Sequence, residues 1–401
     1  MRILILTQYF WPESFRINDL CLALKERGHE VTVLTGKPNY PKGTFSEGYT
    51  FFNKRTEYWN DIKVYRAPII PRGKGKGIKL FVNYISFAIF ASIRLLFIRN
   101  RFDKIFVYEP SPITIGIPGI VAKYKFKAPM YFWVQDLWPE SISAAGGVKN
   151  KSVLSILNWL TKYIYKHSKK VLVQSKAFIP YILNQDIEES KLIYYPNSTE
   201  NYYKELNPDV DLLGTLPEGN KIMFAGNIGE SQSFETLLNA ALLLKNENVK
   251  VQWLILGEGR MKEIVNQKIK ELGLQDTFHL LGAYPSTHMP KYFSCADALL
   301  VSLKKDPIFA HTIPSKIQSY LACGKPILTS LDGEGSRIIE EATAGFTSPS
   351  EDPNALAAIV KKFLALSIDE QRELGHNARS YFNQEFEREL LVDKLEELLK
   401  E

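Results

Sequence analysis

One carboxylate in this chain stands where a proton transfer could occur. Asp136 lies within Trp133–Glu140 (WVQDLWPE), directly after the apolar run Met130–Val134. Ligands of parallel α/β sheets bind beyond the carboxyl ends of the strands, so a carboxylate here can accept the proton of a hydroxyl nucleophile or orient that hydroxyl. The alternative is that Asp136 caps the helix that follows. Glu140 and Glu109, the latter at another predicted strand end, are further candidates.

Two glycine-rich turns have the composition of anion-binding loops. Gly226-Asn-Ile-Gly229 follows the apolar run Lys221–Ala225, and Gly257-Glu-Gly-Arg260 follows Val251–Leu256. Glycine lets backbone N–H groups approach a phosphate, and the N-terminus of the next helix adds partial positive charge. The alternative for both turns is a tight strand-to-helix connection. Arg260 then either reaches a phosphate or is an outward-facing charge.

The elements around these residues alternate between apolar strands and amphipathic helices. In the first half, predicted strands are Arg2–Leu6, Val31–Leu34, Lys63–Arg66, Lys104–Tyr108, Met130–Val134 and Lys170–Val173. The alternation restarts after residue 220, with strands at Lys221–Ala225, Val251–Leu256, Phe278–Leu281, Ala298–Ser302 and Pro326–Thr329. This βαβ order predicts an α/β fold of two Rossmann-like doubly wound domains that face a central cleft.

The domain boundary is predicted in a polar segment. Residues 197–219 are rich in Asn, Asp, Pro and Gly, which indicates a linker and the edge of the second domain. The predicted domains are residues 1–196 and 197–384, and the terminal helix 385–401 could pack back on the first domain.

The charge distribution also separates the halves. Residues 1–200 carry 29 Lys and Arg against 15 Asp and Glu, whereas residues 201–401 carry 21 against 29. A basic half suits nucleic acid, anionic lipid or a phosphorylated substrate. The three cysteines lie far apart, without the spacing of a zinc or redox site, which favours reduced thiols in a cytosol. The N-terminus lacks the features of a signal peptide.

Several segments together resemble a known enzyme family. They are Gln8–Glu13 (QYFWPE), Arg16–Asp19 (RIND), Gly28–Thr35 (GHEVTVLT) and Gly36–Pro41 (GKPNYP). The ordered series resembles the retaining glycosyltransferases of family 4, which have the GT-B fold. The last segment resembles the branch that transfers N-acetyl-L-fucosamine and related amino sugars in bacterial O-antigen and capsule synthesis. The resemblance runs over nearly the whole chain.

The resemblance implies a donor site in the second domain. Its predicted residues are Gly226, Asn227, Gly229, Gln232, Arg260, His311, Pro314, Ser315, Lys316 and Ser319. The wider family places Arg and Lys where Asn227 and Gln232 stand, so two expected cations are missing. Lys316, in the branch-like segment Thr312–Tyr320, is the predicted replacement, with Ser315 as the cap of its helix. An exposed helix lysine is the alternative.

The same resemblance implies roles for the other predicted donor residues and for residues of the first domain. Ser319 is expected to bind a ribose hydroxyl, and His311 is expected either to contact the donor sugar or to be structural. In the first domain, Asp136 and Glu140 are the catalytic candidates. The acceptor loop is expected to use Glu13, Arg16 and Asn18.

The predicted activity is metal-independent transfer, with retention, of an amino sugar from a UDP-sugar to a polyprenyl-diphosphate-linked acceptor. No cofactor is expected. No nucleic-acid partner is expected either, because the basic residues flank an apolar helix instead of forming a polar stripe. The alternatives are a UDP-sugar epimerase or hydrolase with the same fold, and a non-catalytic assembly scaffold.

Leu80–Ile98 is apolar almost all round and has basic flanks. Arg72, Lys74, Lys76 and Lys79 precede it, and Arg99, Arg101 and Lys104 follow. With Arg94 inside, it is short for a membrane span. It is predicted either to dip into the cytoplasmic leaflet of the cell membrane, making the enzyme peripheral or monotopic, or to be a core helix.

Overall fold

The computed structural model describes residues 1–73, 77–144 and 150–401. The chain forms two compact units: unit 1 comprises Met1–Pro196 with Val392–Glu401, and unit 2 comprises Asn197–Leu391.

Unit 1 is an α/β unit built on eight strands. They are β1 (Arg2–Leu6), β2 (Glu30–Gly36), β3 (Thr56–Trp59), β4 (Ile62–Ala67), β5 (Lys104–Glu109), β6 (Met130–Val134), β7 (Lys170–Val173) and β8 (Leu192–Tyr194). Its helices are α1 (Arg16–Glu26), α2 (Gly77–Leu96), α3 (Gly116–Phe126), α4 (Glu140–Ala144), α5 (Lys151–His167) and α6 (Ile179–Leu183).

The sheet of unit 1 has the order β3-β4-β2-β1-β5-β6-β7-β8. Every neighbouring pair is parallel except β3 and β4. All five residues of β6 are buried, as a parallel strand covered on both faces requires. β3 and β8 were not predicted; both are short, and β3 joins the edge as an antiparallel hairpin partner.

Unit 2 carries a second, six-stranded sheet. Its strands are β9 (Lys221–Ala225), β10 (Gln252–Leu256), β11 (Phe278–Gly282), β12 (Ala298–Ser302), β13 (Ile327–Ser330) and β14 (Gly345–Ser348). Its helices are α7 (Val210–Thr215), α8 (Phe234–Asn246), α9 (Lys262–Glu271), α10 (Met289–Ser294), α11 (Pro307–His311), α12 (Ser315–Ala322), α13 (Glu334–Glu341), α14 (Pro353–Leu364) and α15 (Ile368–Glu385). The all-parallel order β11-β10-β9-β12-β13-β14 is that of a doubly wound dinucleotide-binding sheet.

The segments near the unit boundaries complete the chain. The polar segment 197–219 is not only a linker, because it contains α7, and Leu212 packs on the core of unit 2. The terminal helix α16 (Arg388–Lys400) ends in unit 1. There Glu396 accepts hydrogen bonds from Arg27, at 3.0 Å, and contacts His29.

Helix α2 is long and apolar enough to cross a membrane by length and composition, although a third of it is buried within the protein. Its buried positions are Asn83, Ser86, Phe87, Ala88, Ala91 and Leu95. Its exposed apolar positions are Ile78, Phe81, Ile89, Ile93 and Leu96. The helix therefore has one face in the core of unit 1 and one apolar face outside it.

Candidate functional site

The two glycine-rich turns of unit 2 pack directly on each other. Gly226 N donates to Leu256 O at 2.8 Å, and Ile228 N donates to Glu258 O at 2.8 Å. A Cβ on Gly257 would lie 1.8 Å from Gly226 O, so position 257 accepts only glycine. The turns lie at the carboxyl ends of β9 and β10, the edge at which doubly wound sheets bind ligands.

Lys316 lies beside the first of these turns. Its Nζ donates to Gln232 Oε1 at 2.6 Å and lies 3.6 Å from the centroid of the Phe224 ring. No carboxylate lies within ion-pair distance of this ammonium in the described part of the chain. Desolvation lowers the pKa of Lys316 well below its ordinary value. An exposed helix lysine, the sequence alternative, would show neither these contacts nor this shift.

The start of α12 differs in detail from the prediction. Pro314, not Ser315, is the N-cap residue, and no side chain caps the helix. Ser315 is instead the first helical residue, so its prediction as the cap is wrong. A proline fits this position because its missing N–H needs no partner at a helix start. Lys316 is thus in the first turn, as predicted.

Two neighbouring cavities collect most of the predicted donor residues. The first, of about 240 Å³, is lined by Gln232, Val301, Leu303, Phe309, Thr312, Pro314, Ser315 and Lys316. The second, of about 490 Å³, is lined by Asn227, Gly229, Glu230, Ser231, Arg260, Lys304 and Phe309. Phe309 lines both, so the two cavities are adjacent, and together we call them the donor region that the sequence predicts.

The sequence interpretation missed three charged or aromatic residues of this region: Glu230, Lys304 and Phe309. Lys304 follows β12 closely, and its N–H donates to Ser231 O at 2.9 Å. The rule that placed Asp136 at a strand end would have found Lys304 as well. Glu230 makes an ion pair with Arg260 at 2.8 Å, and both side chains are more than half exposed.

Three donor predictions, Gly226, Ser319 and His311, do not line either cavity. Ser319 is buried, its Oγ lies 3.0 Å from Thr199 Oγ1, and it donates to Ser315 O at 3.2 Å. With its proton used in this way, Ser319 Oγ could meet a ribose hydroxyl only as an acceptor. His311 is the last residue of α11 and is half-buried.

Asp136 follows β6 in unit 1 and is half-buried. Burial raises the pKa of this carboxyl from 3.8 to about 6. The next helix, α4, begins four residues later at Glu140, so Asp136 does not occupy its N-cap position. A partly desolvated carboxylate of this kind is a stronger base than an ordinary surface aspartate.

Glu109 ends the neighbouring strand β5 and is fully buried. Its Oε2 lies 3.5 Å from the backbone N of Asp136, and its Oε1 has no hydrogen-bond partner. Burial, followed by the charge of Asp136, raises the pKa of Glu109 well above its ordinary value. Burial thus disfavours the charged form of Glu109, which contacts the loop carrying Asp136. Among the described residues, a second buried carboxylate oxygen, Glu140 Oε2, also has no hydrogen-bond partner.

The residues predicted for the acceptor loop make hydrogen bonds within unit 1, and their acceptor role stays a prediction. Glu13 Oε1 accepts hydrogen bonds from the backbone N–H groups of Asn39 and Tyr40, both at 2.7 Å. Burial raises the pKa of Glu13 to about 7. Asn18 Nδ2 donates to Glu13 O at 2.7 Å, and Arg16 begins α1. Glu13 and Asn18 thus stabilise the strand-end loops of unit 1 internally.

Within residues 1–73, 77–144 and 150–401, no three His, Cys, Asp or Glu side chains are grouped so as to hold a metal ion. Metal independence stays a prediction.

Comparisons with known proteins agree with this two-unit organisation. Residues 14–198 match the family model described as "Glycosyl transferase 4-like domain", and residues 213–381 match "Glycosyl transferases group 1". Relatives include a probable glycosyltransferase, WbjE, of Pseudomonas aeruginosa, 26% identical over 74% of each chain. Another is a putative colanic acid biosynthesis glycosyl transferase, WcaI, of Escherichia coli strain K12. It is 25% identical over 81% of this chain and 82% of its own.

Solved structures show the same fold. Anabaena HepE, crystallised in complex with UDP, superposes with a TM-score of 0.71 at 14% identity over the whole of both chains. One assignment follows from the two doubly wound parallel units, the matched domain families and these structural neighbours. The chain is a glycosyltransferase of the GT-B fold, with a glycosyl transferase 4-like domain followed by a group 1 domain.

Proposed function

We propose that this glycosyltransferase moves an amino sugar from a UDP-sugar to a polyprenyl-diphosphate-linked sugar during synthesis of a surface polysaccharide. N-acetyl-L-fucosamine is the donor sugar that the Gly36–Pro41 and Thr312–Tyr320 segments favour, because they resemble that branch. The name of WcaI, a putative colanic acid biosynthesis glycosyl transferase, supports a role in polysaccharide assembly, and the UDP complex of HepE supports a UDP donor. The observation that carries the proposal is the placement of Lys316.

Unit 2 would hold the donor diphosphate in the two cavities that meet at Phe309. The bond between the anomeric carbon and the diphosphate breaks during transfer, and negative charge grows on the leaving UDP. Lys316 and the backbone N–H groups of Asn227–Gly229 would stabilise that charge most strongly in the transition state, which raises the rate. Binding an anion would also restore the pKa of Lys316, since the ammonium would gain the counter-charge that it lacks.

Unit 1 would hold the acceptor. As the new bond forms between the acceptor oxygen and the anomeric carbon, the hydroxyl proton must leave. Asp136, with its pKa raised to about 6, would accept it. The family resemblance implies that the configuration at the anomeric carbon is retained.

The enzyme would work at the cytoplasmic leaflet, as a peripheral or monotopic protein. The outward apolar face of α2 supports this placement, together with the exposed Lys79, Arg99 and Arg101 near its ends. Basic residues near an anionic leaflet add about 1 kcal/mol each, and exposed apolar side chains anchor by partial insertion. Lys74 and Lys76, also predicted to contribute, lie outside the described residues.

The direct test is an assay of purified enzyme with a panel of UDP-amino sugars and lipid-linked saccharides, with products identified by mass. Lys316→Ala should reduce donor use by at least about a hundredfold, because loss of one donor that stabilises a developing negative charge costs about 2.7–4 kcal/mol in other enzymes. Lys270→Ala, at an exposed lysine of α9, is the matched control. UDP-sugar consumption without an acceptor would indicate an epimerase or hydrolase, and full activity of Lys316→Ala would refute the diphosphate role.

A further inference from the structure

Arg72 lies over two neighbouring tyrosine rings in unit 1, whose centroids are 5.7 Å apart. Its guanidinium carbon is 4.9 Å from the centroid of the Tyr40 ring and 5.8 Å from that of Tyr9. Nη1 donates to the Tyr9 hydroxyl at 3.3 Å. No carboxylate lies within ion-pair distance of this guanidinium in the ranges that the structure describes. We call Arg72, Tyr9 and Tyr40 the Arg72 cradle.

A buried polar network fixes the position of the cradle. Asn39 Oδ1 accepts from the backbone N of Arg72 at 3.1 Å and from Asn83 Nδ2 at 3.3 Å. Asn83 Nδ2 also donates to Ile70 O at 2.6 Å, and Gln8 Nε2 donates to Asn83 Oδ1 at 2.8 Å. The three amide side chains are at most 1% exposed. Buried polar groups are costly unless they are hydrogen-bonded, and each of these amides makes at least one such bond, although Gln8 Oε1 has no partner among the described residues. The network therefore holds the segment before Arg72 in place.

The cradle is open to ligands and adjoins the catalytic candidates. Tyr40 is 44% exposed, which leaves one side of the cradle accessible. Burial raises the pKa of the Tyr84 hydroxyl. The charge of Arg72 lowers this pKa, whereas the carboxyls of Asp136 and Glu109 raise it. Tyr84 therefore lies within electrostatic range of both the guanidinium and the carboxyl pair. A ligand held at Arg72 would be near the strand ends where Asp136 lies.

We propose that the Arg72 cradle binds a phosphate group of the acceptor, an inference that rests on the proposed function. Arginine carries five N–H donors in a planar fork, and only one is used by Tyr9, so the others are available to an oxyanion. The tyrosine rings hold the guanidinium plane in place and reduce the conformational entropy lost on binding. A diphosphate-linked acceptor carries the matching charge.

Geranyl diphosphate is a suitable probe, because it carries the diphosphate without a sugar and its binding does not require turnover. Calorimetry would be done with saturating UDP to occupy the donor region. Arg72→Gln should weaken binding at least about tenfold, and Arg72→Lys should lie between Arg72→Gln and the wild type, because a lysine keeps the charge but loses the fork. Arg55→Gln, at an exposed arginine of unit 1, should bind as the wild type does.

Equal binding by the wild type and a folded Arg72→Gln variant would overturn the inference, as would equal competition by uncharged geraniol. An absence of geranyl diphosphate binding to the wild type would overturn it too. If the cradle binds the probe in this Arg72-dependent way but no saccharide acceptor is ever glycosylated, the proposed function fails and the anion site stands. If transfer proceeds and Arg72→Gln leaves the KM for a diphosphate-linked acceptor unchanged, the cradle fails and the function stands.

Discussion

Lys316 occupies the space that a side chain at Gly226 would need. A Cβ at position 226 would lie 2.5 Å from Lys316 Cε and 2.9 Å from Nζ, and the backbone φ of +146° disfavours other residues. Gly226→Ala should therefore displace the ammonium without removing it. We expect UDP affinity to fall by roughly tenfold, the loss of about one charged hydrogen bond, as measured by calorimetry.

Gly214→Ala is the matched control for that substitution. Gly214 lies in α7 at a position where a Cβ would meet nothing within 4 Å. Its alanine variant should bind UDP as the wild type does. Unchanged UDP affinity in a Gly226→Ala protein with normal melting would show that the position of Lys316 has no bearing on the donor.

Breaking the ion pair between Glu230 and Arg260 should strengthen UDP binding, whereas Gly226→Ala should weaken it. Glu230→Gln removes a carboxylate from the larger donor cavity and releases the guanidinium for phosphate, so UDP should bind more tightly. The gain should stay below about fivefold, because exposed ion pairs are worth only 0.2–1 kcal/mol. A calorimetric cycle with Arg260→Gln checks the cause. If Glu230→Gln raises UDP affinity by the same factor in the Arg260→Gln background, Arg260 does not contribute to the gain in affinity.

Much of the fold could be predicted from the sequence, because short local patterns specify the strands and helices of a parallel α/β fold. The short apolar runs at Met130–Val134 and Ala298–Ser302 are strands with those bounds, and Asp136 follows β6 as expected. Strand-end position also locates Lys304, which the sequence interpretation overlooked.

Other features depend on contacts between distant residues. Lys316 donates a hydrogen bond to Gln232, which lies 84 positions away in the sequence. Asn83 accepts one from Gln8, which lies 75 positions away. In α2 the polar residues Asn83 and Ser86 face the protein, while Ile89 and Ile93 face outward. At these four positions the usual pattern of a helix in a soluble protein is reversed, and no periodicity argument foresees it, because the polar partners lie in other segments.

Asp136 should show its role in a pH profile. A base must be deprotonated, so kcat/KM should rise with pH through about 6 and level off above it. Asp136→Asn should lower the rate by about 10²–10⁴-fold and abolish this inflection while UDP affinity stays unchanged. Asp61→Asn, at a nearly fully exposed aspartate, is the control. A substituted enzyme that keeps the wild-type rate and profile would remove Asp136 from the mechanism.

Glu109 should affect stability more than chemistry. Its pKa in the folded protein is raised, so between its ordinary pKa of 4.5 and the folded value the folded state binds the extra proton. Stability must then fall as pH rises through that window. Glu109→Gln mimics the protonated acid, so its melting temperature relative to wild type should increase as pH rises above 4.5. Glu263→Gln, on the exposed side of α9, should show no such trend, and a parallel response of Glu109→Gln and wild type would contradict the raised pKa.

The outward face of α2 should determine membrane binding. Ile89 and Ile93, one helical turn apart, are 51% and 45% exposed, so Ile89→Ser with Ile93→Ser should lower co-flotation with anionic vesicles by about tenfold while melting stays normal. Val210→Ser with Leu213→Ser, an exposed pair on α7, should float as the wild type does. Phe87→Ala should instead cost about 3–5 kcal/mol of stability, because that ring is fully buried. Unaltered flotation of the Ile89/Ile93 variant would mean that α2 does not anchor the enzyme.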